Sequence, residues 1–327
     1  MAAVSLIADV GATNARFALL DAKGDIGSIR VLTGEDYPSL EKAIQAYLDE
    51  DRSFSAVSGQ RLQAAALAIA GPVSGQQVAL TNHPWSFSIE ELRARLAVER
   101  LLVVNDFAAV AAAIRSLKPH DRNQVGGGSP VAGAPIGVLG PGSGLGVGGV
   151  IPTRSESYAL SGEGGHATMA PVTARESIVL DHMRRRYEHV SAERVLSGPG
   201  LVNLYNTLAE IDGVPAAAYS PAQIADPQIG IRDPRCREAT DMFCAMLGTI
   251  AGNLALTLGA HGGIYIAGGI VPKLGHVFTA SRFRERFEDK GRMRPFLMTI
   301  PTYVITHPFP AFLGLANLLS ENAAPPQ

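Results

Sequence analysis

The chain has few cysteines and few aromatic residues. It contains two cysteines and one tryptophan among 327 residues, and aromatic residues make up 6% of it. Cys236 and Cys244 lie eight positions apart on a predicted helix, a spacing that suits neither a disulfide nor a metal site. We therefore expect two buried free thiols in a cytoplasmic protein.

The chain also lacks a strong charge of either sign, since its net charge is −2 at pH 7. The charges are spread along the sequence, which argues against a nucleic-acid-binding surface. No apolar run approaches the ~20 residues that a membrane helix needs, and the N-terminus lacks the basic start of a signal peptide. We expect a protein of about two domains that binds neither nucleic acid nor membrane.

Residues 7–20 read IADVGATNARFALL, a pattern that predicts a strand, a tight turn and a second strand. The turn runs from Gly11 to Asn14 and follows Asp9. The N–H groups of such a turn and its hydroxyl can bind a phosphate, and the nearby carboxylate can hold Mg²⁺ through water. The alternative is an ordinary polar hairpin.

A second strand–turn–strand is predicted near residues 136–151. Four of the seven residues 140–146 are glycine, with Ser143 at the centre, so a second backbone approach to an anion is expected. Residues 144–149 also match the glycine spacing of a dinucleotide-binding fingerprint. That fingerprint opens a helix, whereas residues 147–151 predict a strand, so we reject it.

The apolar run at residues 101–104 predicts a parallel strand buried on both faces. It ends at Asn105 and Asp106, before an alanine-rich helix predicted over 107–117. Ligands of open α/β sheets bind at the carboxyl ends of strands, where a carboxylate can accept a proton from a hydroxyl nucleophile. The alternative for Asp106 is the helix N-cap, which its residue type alone favours.

Two glycine-rich segments carry further polar candidates. Glu163 and His166 lie three residues apart in the first, and Glu193 precedes the second. Such acceptors and donors suit sugar hydroxyls, which both donate and accept hydrogen bonds. Taken singly, Glu193 also fits an exposed helix residue, and His166 fits a hydrogen-bonded structural histidine.

Alternation of strands and helices over the first part of the chain predicts an α/β domain. The glycine- and proline-rich segment 118–135 predicts a crossing to a second domain, and residues 211–234, with four prolines, predict a long excursion. The other predicted elements are strands at 67–70 and 264–267, helices at 38–48, 237–258 and 311–321, and a helix that Ser88 caps.

In this order the motifs resemble the bacterial glucokinase family, within the superfamily of sugar kinases, actin and heat-shock chaperones. The resemblance covers nearly the whole chain, through residues 9–16, 81–85, 104–107, 140–146, 163–166, 193–200 and 266–270. The related ROK family normally carries a cysteine-rich zinc loop, which two cysteines at this spacing cannot form.

The resemblance implies a two-domain actin-like ATPase fold of the ribonuclease H-like type with an interdomain cleft. Residues 1–117 with 307–327 would form a smaller α/β domain, and residues 118–306 a larger α+β domain. The implied reaction transfers the γ-phosphate of ATP to the 6-hydroxyl of D-glucose, the first step of glycolysis, in a cytoplasmic protein that is often a homodimer. Open alternatives are a kinase for another hexose, a non-catalytic sugar and nucleotide sensor, and an actin-like or chaperone-type ATPase.

The resemblance also implies the role of each candidate residue. Asp106 would be the general base, and Asp9 would organise Mg²⁺. The implied glucose ligands are Asn105, Asp106, Glu163, His166 and Glu193. The implied ATP contacts are Gly11, Ala12, Thr13, Asn14, Gly142, Ser143 and Gly144 at the phosphates, with Gly268 and Gly269 beside the adenosine. The family usually has glycine at Ala12, so Ala12 must avoid a positive φ. It also has threonine at Ser143 and an acidic-aromatic run at 167–169.

Overall fold

The computed structural model describes residues 4–50, 61–80, 83–153 and 157–321. The chain forms two compact units. Unit 1 comprises the described residues within Met1–Leu117 and His307–Gln327, and unit 2 comprises those within Lys118–Thr306. Each unit is built on a sheet of its own.

Unit 1 has a five-stranded sheet. Its strands are β1 Val4–Val10, β2 Asn14–Leu20, β3 Ile26–Thr33, β4 Leu62–Ile69 and β7 Arg100–Asn105, while β5 Gln77–Ala79 and β6 Ser86–Ser88 form a separate hairpin. The order is β3-β2-β1-β4-β7. The first three strands are antiparallel neighbours, and β4 and β7 continue the sheet in parallel with β1.

The helices in the described part of unit 1 are α1 Leu40–Glu50, α2 Ile89–Leu96, α3 Asp106–Ala113 and the C-terminal α13 Pro310–Glu321. Helix α1 buries Leu40, Ile44 and Tyr47, an apolar stripe with helical spacing that packs on the sheet. Helix α13 packs against α3, and Asn317 Nδ2 donates a hydrogen bond to the Ala112 carbonyl at 2.9 Å. Ser88 caps α2, as predicted, by accepting from the Glu91 N–H.

Three expectations for unit 1 need correction. Strand β4 spans Leu62–Ile69 instead of the expected 67–70. Its alanine side chains are small enough for a buried strand, although alanine has a weak propensity for strands. Strand β7 is half-buried, since it lies at the edge of the sheet, so the expected burial on both faces is wrong. Helix α3 ends at Ala113, and a 3₁₀ turn over Ile114–Ser116 replaces its expected last turn.

Unit 2 has a six-stranded sheet. Its strands are β8 Arg122–Val125, β9 Ile136–Pro141, β10 Leu145–Pro152, β11 Ser157–Gly162, β12 Ile264–Ile266 and β13 Thr302–Ile305. The order is β11-β10-β9-β12-β13-β8. Strands β9 to β11 are antiparallel neighbours, and β12 and β13 follow in parallel with β9. Five strands of unit 2 therefore repeat the arrangement of unit 1.

The helices of unit 2 are α4 Ala174–Arg184, α5 Gly198–Ile211, α6 Pro221–Ile224, α7 Pro227–Arg232, α8 Pro234–Leu258, α9 Ile270–Leu274, α10 His276–Thr279, α11 Phe283–Glu288 and α12 Arg294–Met298. Proline is the first residue of α6, α7 and α8, where its missing N–H costs nothing. The side chains of Ser220, Asp226 and Asp233 accept hydrogen bonds from the first turns. The part of the proline-rich excursion from Pro221 to Arg232 is thus mostly helical.

Helix α8, of 25 residues, is long and apolar enough to cross a membrane by length and composition alone. However, 61% of its most apolar window is buried inside the unit, so it is a core helix. The prediction from the sequence that no such segment is present was based on uninterrupted apolar runs alone. Cys236 and Cys244 lie on this helix as buried free thiols, as predicted. Burial raises their pKa values to about 11 and about 12, respectively.

Candidate active site

The polar candidates of unit 1 lie at one edge of its sheet. Val10 pairs with Ile69, and Ile69 pairs with Asn105, so the carboxyl ends of β1, β4 and β7 lie side by side. Asp9 and Asp106 are therefore at the edge where open α/β sheets bind ligands.

Asn105 is the N-cap of α3. Its Oδ1 accepts from the N–H groups of Phe107 at 2.9 Å and Ala108 at 3.3 Å, and its Nδ2 donates to the Gly71 carbonyl at 3.1 Å. The cap alternative for Asp106 is therefore wrong, because Asp106 is the first residue of the helix. Its Oδ1 also accepts from the Phe107 N–H at 2.9 Å.

The first turn is closed by its own backbone. The Gly11 N–H donates to the Asn14 carbonyl at 3.0 Å. Among the described residues, the non-glycine residues with positive φ are Ser28 and Ala97, so Ala12 meets the condition set by the sequence. Thr13 is exposed at the tip of the turn.

Asp9 has a partner that sequence reasoning did not assign. Arg16 Nη1 donates to Asp9 Oδ2 at 2.9 Å, and the two residues face each other across β1 and β2. Burial raises the pKa of Asp9, while the Arg16 guanidinium opposes the rise. The sequence did contain a signal for this pair, because counting residues outward from the turn places Asp9 opposite Arg16.

The second turn takes its carboxylate from elsewhere in unit 2. The Gly142 N–H donates to the Gly144 carbonyl at 2.8 Å, and the Leu145 N–H donates to Glu193 Oε2 at 2.8 Å. A Cβ on Gly144 would lie 2.5 Å from that oxygen, so only glycine allows Glu193 to approach. The Gly198 N–H, at the start of α5, also donates to the Gly142 carbonyl. Ser143 remains exposed at the tip.

Glu163 and His166 adjoin the second turn. A Cβ on Gly165, between them in sequence, would lie 2.0 Å from the Leu145 carbonyl, so the loop lies directly on β10. Glu163 Oε2 and His166 Nε2 are 3.9 Å apart, and both side chains are more than half exposed. His189 Nε2 lies 2.9 Å from the His166 carbonyl and anchors the loop; this contact was not predicted.

Gly268 has φ +81°, and a Cβ there would lie 2.4 Å from the carbonyl of Pro141 in β9. Gly268 therefore lies beside the second turn, and the exposed Gly269 follows it. Of the motif at 81–85, Thr81 and Asn82 lie outside the described residues. Residues 144–149, whose glycine spacing matches the dinucleotide fingerprint, lie in the turn and β10 rather than at a helix start, which supports rejecting it.

The structure thus gathers the candidates into two groups. Unit 1 holds the turn at Gly11–Asn14 with Asp9, Asn105 and Asp106, and unit 2 holds the turn at Gly142–Gly144 with Glu163, His166, Glu193 and the Gly268–Gly269 pair. Within the described parts of the chain, no cluster of three or more His, Cys, Asp or Glu residues could hold a metal ion. A single carboxylate such as Asp9 does fit Mg²⁺, which usually keeps several waters and binds phosphate oxygens.

Comparison with known proteins agrees with these features. A family model described as Glucokinase matches residues 6–322. A glucokinase of Paramagnetospirillum magneticum is 50% identical over 322 residues, 98% of this chain and 99% of that protein. A bifunctional protein of Burkholderia pseudomallei is 51% identical over 316 residues, 97% of this chain, and the chain spans 48% of that longer relative.

Among solved structures, a glucokinase from an Antarctic psychrotroph is 36% identical, with a TM-score of 0.85 over 97% of this chain and 99% of that one. A ROK family glucokinase from Streptomyces griseus, in complex with glucose and AMPPNP, is 17% identical with a TM-score of 0.62 over 96% of this chain and 98% of that one; this likeness concerns the fold alone. The fold and the matches define the class of the protein as an ATP-dependent sugar kinase with an actin-like fold. Within that class, the chain belongs to the glucokinase family.

Proposed function

We propose that this protein transfers the γ-phosphoryl group of ATP to the 6-hydroxyl of D-glucose, yielding glucose 6-phosphate and ADP, the first step of glycolysis. The observation that carries the proposal is the position of Asp106. Its carboxylate follows β7 at the ligand-binding edge of the sheet. Asn105, and not Asp106, is the N-cap of α3. Asp106 accepts the proton of the 6-hydroxyl as the oxygen attacks phosphorus, the usual role of a base in phosphoryl transfer.

Both groups contribute residues to sugar binding. Asn105, Glu163, His166 and Glu193, together with Asp106, bind the sugar hydroxyls. Within the described residues, Asn105 Nδ2 donates one of its two hydrogens to Gly71, and the other can serve the sugar. Glu193 can link the sugar to the phosphates, because its Oε2 already contacts the second turn. Such positioning matters because phosphoryl transfer depends mainly on alignment and charge stabilisation.

The two turns, Gly11–Asn14 and Gly142–Gly144, bind the ATP phosphates through N–H groups and the hydroxyls of Thr13 and Ser143. Asp9 holds Mg²⁺ through water, and Gly268 and Gly269 border the adenosine. When bound, the metal ion neutralises charge on the phosphate oxygens. Arg16 favours the ionised form of Asp9 and so opposes burial, which raises the pKa of Asp9 overall.

We further propose that units 1 and 2 are the smaller α/β and larger α+β domains of the ribonuclease H-like, actin-like kinase fold. Family resemblance also favours a cytoplasmic homodimer. The two buried free thiols fit a reducing compartment. Sedimentation of the purified protein tests the oligomeric state.

Initial rates over a panel of hexoses and phosphoryl donors test the function. We expect kcat/KM to be highest with D-glucose and ATP·Mg²⁺, with ADP release dependent on the sugar. Binding of both ligands without turnover would indicate a sensor. ATP hydrolysis at the same rate without sugar would indicate an actin-like or chaperone-type ATPase.

A further inference from the structure

His83 and Trp85 belong to a motif that the proposed reaction does not use. The Trp85 N–H donates to His83 Nδ1 at 3.3 Å, which leaves the proton of the neutral imidazole on Nε2. The two rings meet edge to face, with centroids 4.4 Å apart. Among the described residues, His83 Nε2 is the buried side-chain nitrogen or oxygen that has no hydrogen-bond partner. A buried donor without a partner is uncommon and calls for a physical reason.

The His83 ring lies directly on Gly34. A Cβ at Gly34 would be 2.6 Å from His83 Nε2 and 3.3 Å from the nearest ring carbon, so the imidazole fills the place of a side chain there. Gly34 in turn donates its N–H to the Thr13 carbonyl at 2.9 Å. His83 is therefore one residue removed from the first phosphate turn.

Trp85 fixes the other end of this contact. Its indole N–H donates to the Tyr37 carbonyl at 3.0 Å, and the Tyr37 N–H donates to the Gly34 carbonyl at 3.2 Å. Trp85 is 3% exposed. The segment Gly34–Tyr37 is thus held between the His83–Trp85 pair and Thr13.

We infer that His83 is a positioning residue for nucleotide binding. Its imidazole, held by Trp85, keeps Gly34 in place, and the Gly34 N–H keeps Thr13 and its turn in the shape that binds phosphate. This inference rests on the proposed phosphate role of Gly11–Asn14. It assigns His83 an effect on the binding of ATP and not on the binding of the sugar.

Steady-state kinetics of H83A, G34A and the double variant test the inference. We expect each single variant to raise the KM for ATP about tenfold and to leave the KM for glucose within about twofold, since small misplacements of binding groups are costly. The added methyl of G34A acts by displacing the imidazole. In the H83A background there is no ring to displace, so the double variant should match H83A alone.

Gly27 supplies the matched control. It lies on β3, where an added Cβ would have no atom within 4 Å, and neither Gly27 nor Gly34 has a positive φ. G27A should match the wild type in both KM values. A folded H83A with an unchanged KM for ATP would overturn the inference, and so would a double variant whose KM is the product of the two single effects.

A measurement on the unmodified protein covers the case in which H83A does not fold. Trp85 is the sole tryptophan, so its emission reports on this segment alone. Titration with a non-hydrolysable ATP analogue and Mg²⁺ should change the emission with the same Kd that calorimetry gives. Calorimetric binding without any emission change contradicts the inference. Failure of the proposed function is a different result, namely no sugar-dependent turnover by the wild type.

Discussion

The two turns occupy matching places in their units, yet their carboxylates come from different distances along the chain. The first turn lies between β1 and β2, and its carboxylate, Asp9, belongs to the same hairpin as its partner Arg16. The second turn lies between β9 and β10, and its carboxylate comes from Glu193, 48 residues beyond Leu145. The carboxylate of the first turn is thus local in sequence, whereas that of the second comes from a distant segment of unit 2.

The turns also differ in the room around their glycines. A Cβ on Gly11 would lie 3.5 Å from the Asn14 carbonyl, an ordinary contact, whereas one on Gly144 would lie 2.5 Å from Glu193 Oε2. The first turn is instead held from outside, through the bond from Gly34 to Thr13. Glycine is therefore needed within the second turn and beside the first.

The largest expected effect concerns the carboxylate that follows strand β7 in unit 1 and has no counterpart after the equivalent strand of unit 2. Strand β7 is followed by Asp106, whereas the equivalent strand β13 is followed by Thr306, whose hydroxyl donates to the His120 carbonyl. D106N should lower kcat by about 10²–10⁴-fold, the range for loss of a general base, with little change in the KM for glucose. T306V serves as the control and should keep kcat within about threefold. Near-normal turnover by D106N would remove Asp106 from the base role.

The next effect tests the steric difference between the turns. G144A should lower kcat/KM by about 10²-fold, because the methyl group displaces the Glu193 carboxylate, a proposed sugar ligand, from its place at the turn. G11A should cost only a few-fold, because its methyl group has room. Initial rates with melting temperatures check both variants. Equal losses would show that the two turns are not distinguished by packing.

A smaller effect concerns pH and applies only to the first turn. Burial raises the pKa of Asp9 and Arg16 opposes the rise, so R16A should raise that pKa further. As the pH falls through the pKa, Asp9 gains a proton and loses its hold on Mg²⁺. The acid limb of Mg²⁺-dependent kcat/KM should therefore move to higher pH in R16A. The control is R30A, which removes the exposed ion pair between Arg30 on β3 and Glu50 at the end of α1. An unmoved limb in R16A would exclude Asp9 as the titrating group.

The smallest expected effect is on the rate of cysteine labelling, which reports on unit 2 alone. Unit 1 contains the only tryptophan, Trp85, and unit 2 contains both cysteines. Burial raises the pKa of both thiols, so little thiolate forms and native protein should react with a thiol reagent at pH 8 only as fast as unit 2 opens. G144A should speed this reaction more than H83A does. Fast labelling of the native wild type would contradict the burial of Cys236 and Cys244.

The sequence predicts local features well. The hairpin around Gly11–Asn14 and the strand character of residues 147–151 follow from patterns within a few residues, and the structure confirms both. Residue type alone favours Asp106 as the cap of α3, whereas the cap is Asn105. Both residue types cap helices, and the choice between them depends on backbone geometry.

Contacts between distant segments could not be predicted. Nothing near Glu193 in sequence indicates that its carboxylate accepts from Leu145, because that bond joins two segments that lie 48 residues apart in the chain. The contact of His83 with Gly34 is of the same kind, since it joins segments 49 residues apart. The half-buried state of β7 depends likewise on its place in the strand order.

The reaction itself is tested most directly with 6-deoxyglucose, which keeps every ring hydroxyl of glucose and lacks the one that accepts the phosphoryl group. We expect it to inhibit competitively against glucose, while ADP release in its presence stays at the rate seen without sugar. ADP release at the rate seen with glucose would show that the sugar only stimulates hydrolysis, and it would contradict transfer to the 6-hydroxyl.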